Sequence, residues 1–205
     1  MVRMLRRHRL ISVAVLVCAS LLLLAFMSAC GSPATGVESY TSEDFGYSFA
    51  YPAAWELRKA DSANVSAGGT AADAVGVFNP EGAVAQDTYI DLAQVTVYKL
   101  KEAVDASMMP QVRSEVEQVL ASLESQAPDM QTVEPLSETT LGGTSGFKVT
   151  YAFSQNGTPT TSTLYFLFFG DTEYQLTLQA ATQNWGANQS VFTAFLASFR
   201  PGPGG

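Results

Sequence analysis

Alternating apolar and polar positions dominate this chain and predict a mainly β structure. The first such segment places four aromatic side chains on one face of a strand, at Phe45, Tyr47, Phe49 and Tyr51, and Pro52 ends it. Such a row could stack a sugar or another flat ligand, but the core face of a sheet is the simpler interpretation. Further runs rich in β-branched and aromatic residues predict strands at residues 55–60, 73–79, 91–100, 131–141, 147–153, 164–169 and 174–178.

Two segments instead repeat their apolar residues at the helical spacing of three or four. The first covers residues 110–126; Pro110 suits its first turn and Pro128 stops it. A second helix, which Asn188 is expected to cap, presents a broad apolar face that includes Phe195. The apolar stripe of the first helix is narrow and flanked by glutamates. It therefore predicts a helix lying on a sheet, with a partner-binding face as the alternative.

Turn residues divide the strands of the C-terminal half. Asn156-Gly157 is a hairpin signal, and Gly170-Asp171 predicts a turn between two further strands. The strand at residues 164–169 is apolar on both faces, which predicts a central strand covered on both sides. Its alternate side chains should pack against opposite helix layers, Leu164, Phe166 and Phe168 on one and Tyr165, Leu167 and Phe169 on the other.

A central strand packed in this way predicts a solid core. Protein interiors pack at crystal-like density, so a core filled on both faces would leave no room for a ligand. Function would then lie on the acidic outer surface or in loops such as residues 61–72. A carrier would instead need a pocket on the order of several hundred Å³.

The N-terminus has the parts of a secretory signal peptide. Four arginines form a positive segment, residues 10–26 are apolar and uncharged, and small residues follow. Met27-Ser28-Ala29-Cys30 then resembles the lipobox of bacterial lipoproteins. The resemblance implies that residues 1–29 are removed and that Cys30 carries a diacylglycerol thioether, with acyl chains such as palmitate. The alternative is a retained anchor helix in which Cys30 is an ordinary residue.

The remaining chain divides into a tether, one domain and a tail. Residues 30–39 are small and polar and predict a lipidated flexible tether. Residues 40–200 are of single-domain size, and residues 201–205, rich in Pro and Gly, predict a disordered tail. Export by the general secretion route is favoured over the twin-arginine route, because the residues around Arg6-Arg7 match the twin-arginine pattern poorly.

The charge of the mature chain argues against binding to nucleic acid. The full chain has a net charge of −8. After removal of residues 1–29, seven Lys and Arg face 19 Asp and Glu, which gives −12. Such a chain repels nucleic acid and anionic lipid headgroups. Attachment to the cell membrane, on its extracytoplasmic face, is therefore expected through the lipid on Cys30.

The mature chain also lacks the side chains of several common sites. His8 and Cys18 both precede the cut, so no histidine remains and Cys30 is the sole cysteine. This composition excludes a disulfide, a Cys/His metal site, a Ser-His-Asp triad and a Cys nucleophile. We therefore expect no enzyme activity and no cofactor.

Two weaker patterns resemble a catalytic site and a metal site. Ser145 and Lys148 have the Ser-x-x-Lys spacing of penicillin-binding enzymes, but they lie at the start of a strand and the partner motifs are missing. Scattered carboxylates could bind Ca²⁺, but no loop of fixed spacing holds them and a solvated face is the simpler interpretation. These carboxylates belong to Asp73, Glu81, Asp87 and Asp91.

The first aromatic strand is similar to the entry of the PsbP family. Members commonly begin with alternating aromatics and a Tyr-Pro-x-x-Trp segment, matched here by Phe45, Gly46, Tyr47, Phe49, Tyr51, Pro52 and Trp55. The resemblance implies an α+β fold, with an antiparallel β-sheet sandwiched between helices (a PsbP-like α/β/α sandwich). It implies little about function, since PsbP relatives range from photosystem assembly factors to bacterial lipoproteins. The fold places Trp55 and Phe195 in the core.

The sequence thus predicts a lipid-anchored, extracytoplasmic, non-enzymatic binding or scaffold lipoprotein of PsbP-like fold. Its partner would be an envelope protein or ligand that the sequence does not identify. The alternative is a carrier of a lipid or another apolar small molecule in the cell envelope. A hydrolase that uses carboxylates alone is a third possibility, because paired carboxylates can cleave glycosides.

Overall fold

The computed structural model describes residues 36–59 and 71–202, which contain ten strands and two α-helices. Within these two ranges, no helix is both long and apolar enough to cross a membrane. The helices are α1 (Met109–Gln126) and α2 (Trp185–Ser198), and a 3₁₀ turn (Thr182–Asn184) leads into α2. The strands are β1 (Val37–Thr41), β2 (Ser48–Pro52), β3 (Glu56–Lys59), β4 (Asp73–Phe78), β5 (Val84–Ala85), β6 (Thr88–Tyr89), β7 (Leu92–Val104), β8 (Gln131–Leu141), β9 (Thr144–Gln155) and β10 (Thr158–Ala181).

Six strands form one antiparallel sheet in the order β3-β4-β7-β10-β9-β8. The long strand β10 joins its two halves. Residues 158–167 of β10 pair with β9, and residues 170–179 pair with β7. Two separate hairpins, β1-β2 and β5-β6, complete the strands of the described ranges. The predicted α+β fold with an antiparallel sheet between helices is confirmed.

The predicted turn at Gly170-Asp171 is wrong. Strand β10 runs through this point, and the pairing register with β7 shifts between Gly170 and Thr172. Gly170 has a φ of +60°, a value that glycine adopts without steric cost. The glycine therefore makes a β-bulge, which bends and twists the strand without reversing it.

The hairpin predicted at Asn156-Gly157 is confirmed. The two residues have φ values of +50° and +84°, and Gln155 pairs directly with Thr158 across the turn. Both central residues with positive φ match the two-residue turn that follows the twist of the flanking strands. A similar turn at Gln86 and Asp87 makes the β5-β6 hairpin, which the sequence analysis did not predict.

The larger core lies between the sheet, helix α2 and the β1-β2 hairpin. Phe49 and Phe195 pack at 4.7 Å between ring centroids, so the hairpin and the helix meet over the sheet. Trp55 is 7% exposed and Phe195 1% exposed, which confirms both predicted core positions. Tyr47, Phe49 and Tyr51 of the aromatic row are core, as the simpler interpretation expected. Phe45 differs, because it lies in the turn before β2 and is half-buried.

A second core lies between the opposite face of the sheet and α1. Val112, Val116 and Leu120 of the helix pack on a group of side chains from β9 and β10. Residues 164–168 alternate between the two cores as predicted: Leu164, Phe166 and Phe168 belong to the α1 side, and Tyr165 and Leu167 to the α2 side. Phe169 differs, because it is 37% exposed next to the bulge.

The ordered chain extends beyond the predicted ends of the domain. Strand β1 includes residues 37–39, which the sequence assigned to the tether. Gly202, assigned to the tail, is buried, and its N–H donates to Tyr174 Oη at 3.2 Å. The predicted signal peptide, Cys30, residues 61–70 of the predicted loop and residues 203–205 lie outside the described residues.

Candidate functional site

An open cleft of about 860 Å³ lies between α1, the end of β7 and the middle of β10. We call it the α1 cleft. Helix α1 buries Val112, Val116 and Leu120, about one residue per turn, and these contact β9 and the first half of β10. Such a narrow stripe covers only part of the sheet. The side chains directly beneath α1 are buried as a core, but the expectation that the helix covers the whole of this face is wrong.

One wall of the α1 cleft is apolar. Val112, Val116 and Val119 of α1 line it from the helix, and Phe166 and Phe168 line it from β10. Val119 and Phe168 are half-buried, so part of each side chain is open to the cleft. A wall of this kind provides contact area for a hydrocarbon chain.

The floor of the α1 cleft is polar, because the character of β10 changes after the bulge. Tyr174 faces the larger core, so its neighbours Glu173 and Gln175 face the cleft. Glu173 pairs across the sheet with Tyr98 of β7, and Gln175 pairs with Thr96. The side chain of Gln175 donates from Nε2 to Glu173 Oε1 at 2.8 Å.

The floor disfavours negative charge. Burial raises the pKa of the Glu173 carboxyl, and the charge of Glu115 on α1 raises it further, while the hydrogen bond from Gln175 acts in the opposite direction. Burial, with the nearby Glu173 carboxylate, raises the pKa of Tyr98 to about 12. At neutral pH the hydroxyl of Tyr98 therefore stays protonated.

Replacing Glu173 by glutamine should stabilise the protein more at neutral pH than near pH 4. A carboxyl whose pKa is raised on folding binds more protons in the folded state, so its contribution falls as pH rises above the ordinary value of 4.5. Glutamine removes that pH-dependent penalty. Urea unfolding of both proteins at the two pH values measures the effect, and an equal difference at both would contradict it.

Two further clefts follow the other side of α1, between the helix and strands β8 and β9. They have volumes of about 670 and 240 Å³. Arg113 lines the larger one and donates to the carbonyl oxygen of Leu136 at 3.3 Å and, from Nε, to Glu117 at 3.0 Å. The hydrogen bond from Arg113 to the carbonyl oxygen of Leu136 joins the helix to strand β8.

The Ser-x-x-Lys pair does not form a site. Ser145 and Lys148 lie on β9, as the sequence predicted, and residues three apart on a strand point to opposite faces of the sheet. Ser145 lines the larger of these two clefts, while Lys148 Nζ lies 3.9 Å from a carboxylate oxygen of Glu134. The serine and the amine therefore cannot act on one substrate.

The four candidate Ca²⁺ carboxylates differ in burial and in hydrogen-bond partners. Asp91 is 1% exposed and is held by hydrogen bonds within the protein. Asp73 accepts hydrogen bonds from Ser42 and Tyr47, each at 2.9 Å. Glu81 and Asp87 are exposed. Across residues 36–59 and 71–202, no group of three or more acidic, His or Cys side chains is placed to hold a metal ion.

Asn188 is not a helix cap. Helix α2 begins at Trp185, so Asn188 lies inside the first turn and is 6% exposed. Its side chain donates from Nδ2 to Asp91 Oδ2 at 3.2 Å. A polar residue near the start of an apolar helix is typical of a cap, but here the buried carboxylate provides its partner.

Glu173 and Tyr98 were not among the site residues predicted from the sequence. The alternation of Tyr174, Leu176 and Leu178 gives enough signal to place Glu173 on the face opposite the larger core. It does not show that α1 leaves this part of the sheet open. Whether this part of the sheet is open depends on where α1, which is distant in sequence from Glu173, packs on the sheet.

The chain thus has an α+β fold, an antiparallel sheet with one helix on each face. No protein-family model matches the sequence, and no curated protein matches it by sequence. By structure, the chain is similar to cyanobacterial PsbP (CyanoP) from Synechocystis sp. PCC 6803, with a TM-score of 0.56 and 15% identity. This match covers 85% of this chain and 98% of CyanoP.

Two further solved structures share the fold. One is LpqN of Mycobacterium tuberculosis, involved in cell envelope biogenesis, with a TM-score of 0.52, 16% identity, and coverage of 85% of this chain and 88% of LpqN. The other is a protein from Bacteroides thetaiotaomicron VPI-5482, with a TM-score of 0.52 and 12% identity over 81% of this chain. The match covers 48% of that protein, so this chain spans about half its length. At such identities, the similarity establishes the fold alone.

Proposed function

We propose that this protein is a lipid-anchored, extracytoplasmic binding protein without enzyme activity, and that the α1 cleft holds a small amphipathic molecule. The α1 cleft is the observation that carries the proposal. Of the two non-enzymatic functions that the sequence leaves open, a binding or scaffold protein and a carrier, the α1 cleft favours a protein that carries a small ligand.

The dimensions and lining of the α1 cleft support a small ligand. Ligand sites commonly measure about 300–1,000 Å³ and combine an apolar lining with a few polar groups. The α1 cleft, at about 860 Å³, has an apolar wall at Val119 and Phe168 and polar groups at Glu173 and Gln175. A molecule with a hydrocarbon chain and a polar end matches both parts.

The proposed location of the protein, on the outer side of a membrane, rests on the N-terminal sequence. The apolar segment and the lipobox-like Met27-Ser28-Ala29-Cys30 support an anchor on the outer side of a membrane. Similarity in fold to LpqN, a protein of cell envelope biogenesis, is compatible with that location. The proposal of no enzyme activity rests on the sequence after Cys30, which contains no histidine and no further cysteine.

A blocking substitution in α1 tests the ligand site. Val119→Trp places a large side chain against the apolar wall of the α1 cleft and should weaken binding of octanol at least about tenfold, since the indole takes the place of the hydrocarbon chain beside Phe168. Binding is measured by titration calorimetry on the chain from Gly31 onward, after circular dichroism has shown that both proteins are folded.

Ala121→Trp is the matched control. It adds the same side chain to the same helix, but Ala121 lines the cleft of about 240 Å³ on the other side of α1. Octanol binding should stay within about twofold of wild type. Loss of binding in Ala121→Trp but not in Val119→Trp would move the site to the other side of the helix. No binding of octanol or of any other octyl amphiphile to the wild-type chain would sink the proposed function.

A further inference from the structure

The mouth of the α1 cleft carries exposed charges of both signs. Four charged side chains line the cleft and are exposed to solvent, namely Lys99, Lys101, Glu102 and Glu115. Lys99 is paired with Asp171, which does not line the cleft, at 3.0 Å, and this leaves Lys101 against the two glutamates. Exposed charges are screened by salt. The mouth therefore contributes only a weak negative charge to a bound molecule.

The floor carries a single acidic side chain. Glu173 is half-buried there, between Tyr98 on the neighbouring strand and Gln175 on its own. Among the described residues, its carboxyl group receives one side-chain hydrogen bond, from Gln175 to Oε1, and forms no ion pair with Lys or Arg. A carboxylate has about four acceptor positions, so Glu173 retains acceptor capacity toward the cleft.

We propose that the α1 cleft selects amphipathic molecules whose polar end is an ammonium group. Glu173 accepts hydrogen bonds from this group, and the hydrocarbon chain lies along Val119 and Phe168. The inference rests on the proposed function, because it names the ligand class of the same cleft.

Three physical arguments lead to this class. A charge-assisted hydrogen bond between ammonium and carboxylate is about twice as strong as a neutral one. The ring of Tyr98, opposite Glu173, adds an aromatic surface that attracts cations. A cation would also offset the cost of burying the carboxylate, which raises the pKa of Glu173. A carboxylate end group would instead meet a like charge in a partly buried site.

A series of octyl compounds that differ in the polar end tests the inference. Octylamine, octanol and octanoate are added to the full-length protein in lipid nanodiscs, with free concentrations corrected against empty nanodiscs. Binding is followed by the rise in unfolding temperature, read by tryptophan fluorescence. Octylamine should bind at least about tenfold more tightly than octanoate, with octanol between them. Propylamine, which lacks the long chain, should bind at least about tenfold more weakly than octylamine.

Two variants separate Glu173 from the general acidity of the chain. Glu173→Gln should bring the affinities of octylamine and octanol within about threefold of each other, because the charge-assisted hydrogen bond is lost. It should change octanol affinity less than about threefold. Glu102→Gln removes an exposed carboxylate from the mouth and should keep the wild-type preference, since that charge is screened.

Each outcome decides between the two proposals. If octanoate binds as tightly as octylamine, or if Glu173→Gln keeps the preference for the amine, the ammonium inference is overturned while the binding function stands. If none of the three octyl compounds raises the unfolding temperature, both proposals fail.

Discussion

Replacing Asp91 by alanine should lower the free energy of unfolding by about 3–5 kcal/mol. The Asp91 carboxyl is 1% exposed and joins the start of β7 to the start of α2. It accepts hydrogen bonds from the N–H of Ala181 at 2.8 Å, from Asn184 Nδ2 at 2.8 Å and from Asn188 Nδ2 at 3.2 Å. Removing the carboxyl group leaves these donors without an acceptor, and each buried donor without a partner costs about 1–3 kcal/mol.

Two further variants make the Asp91 experiment specific. Asp91→Asn keeps one acceptor oxygen but turns an NH₂ group toward the remaining donors, so its loss should be smaller than that of Asp91→Ala. Glu81→Ala removes an exposed carboxylate just before β5 and should change stability by less than about 0.5 kcal/mol. Urea unfolding gives all three values. A loss below about 1 kcal/mol for Asp91→Ala would mean that this network does not hold α2 in place.

Replacing Cys30 by serine should abolish lipid attachment and leave an uncut precursor. The thioether that anchors a bacterial lipoprotein forms on the cysteine of the lipobox, and serine provides no thiol. Incorporation of labelled palmitate and the intact mass of the protein measure both effects. We expect label in the wild type and none in Cys30→Ser.

Cys18→Ser is the matched control, since it removes the chain's other cysteine from within the apolar segment. This variant should be lipidated and cut like the wild type. Cleavage of Cys30→Ser at the same bond would contradict the lipoprotein proposal. Wild-type protein that keeps residues 1–29 and takes up no label would favour a retained anchor helix.

The elements of this fold that depend on neighbouring residues could be predicted from the sequence. Asn156-Gly157 needs only two residues with positive φ to make its turn. The strand at Gln131–Leu141 begins and ends at the predicted residues, and α1 starts one residue before the predicted Pro110. In each of these cases the local preference and the final fold agree.

Features that depend on distant residues could not be predicted in this way. Gly170 has the same local preference in a turn and in a bulge, and pairing with β7 decides between them. Asn188 can cap a helix or donate to a buried acceptor, and the choice depends on Asp91, 97 residues away. The sequence signals the residue type in both cases but not its partner.

The candidate site was the least predictable part of the molecule. Alternation along β10 places Glu173 on the helix α1 side of the sheet. The apolar residues of α1 were identified, yet their number suggested full cover of this face. Whether a narrow stripe fills a face or leaves a cleft depends on the width of the sheet beneath it, and no residue within the helix encodes that width.

The two cores bring together residues that are separated by very different lengths of chain. The core under α1 contains residues between Val104 and Phe168, whereas the larger core joins Tyr40 to Phe199. The N–H of Arg200 donates to the carbonyl oxygen of Ser48 at 2.9 Å. This bridge joins the C-terminal end of the domain to the start of β2. Contacts of long sequence separation form more slowly than local ones.

If the chain is exported as proposed, the N-terminal part of its mature domain reaches the outer side first, and this difference then predicts an order of folding. We expect the α1 half to assemble while helix α2 is still in transit, because all of its members precede residue 169. The aromatic face of β2, including Phe49, would stay uncovered until Phe195 arrives. During that interval it would offer a hydrophobic surface to chaperones and to other unfinished chains.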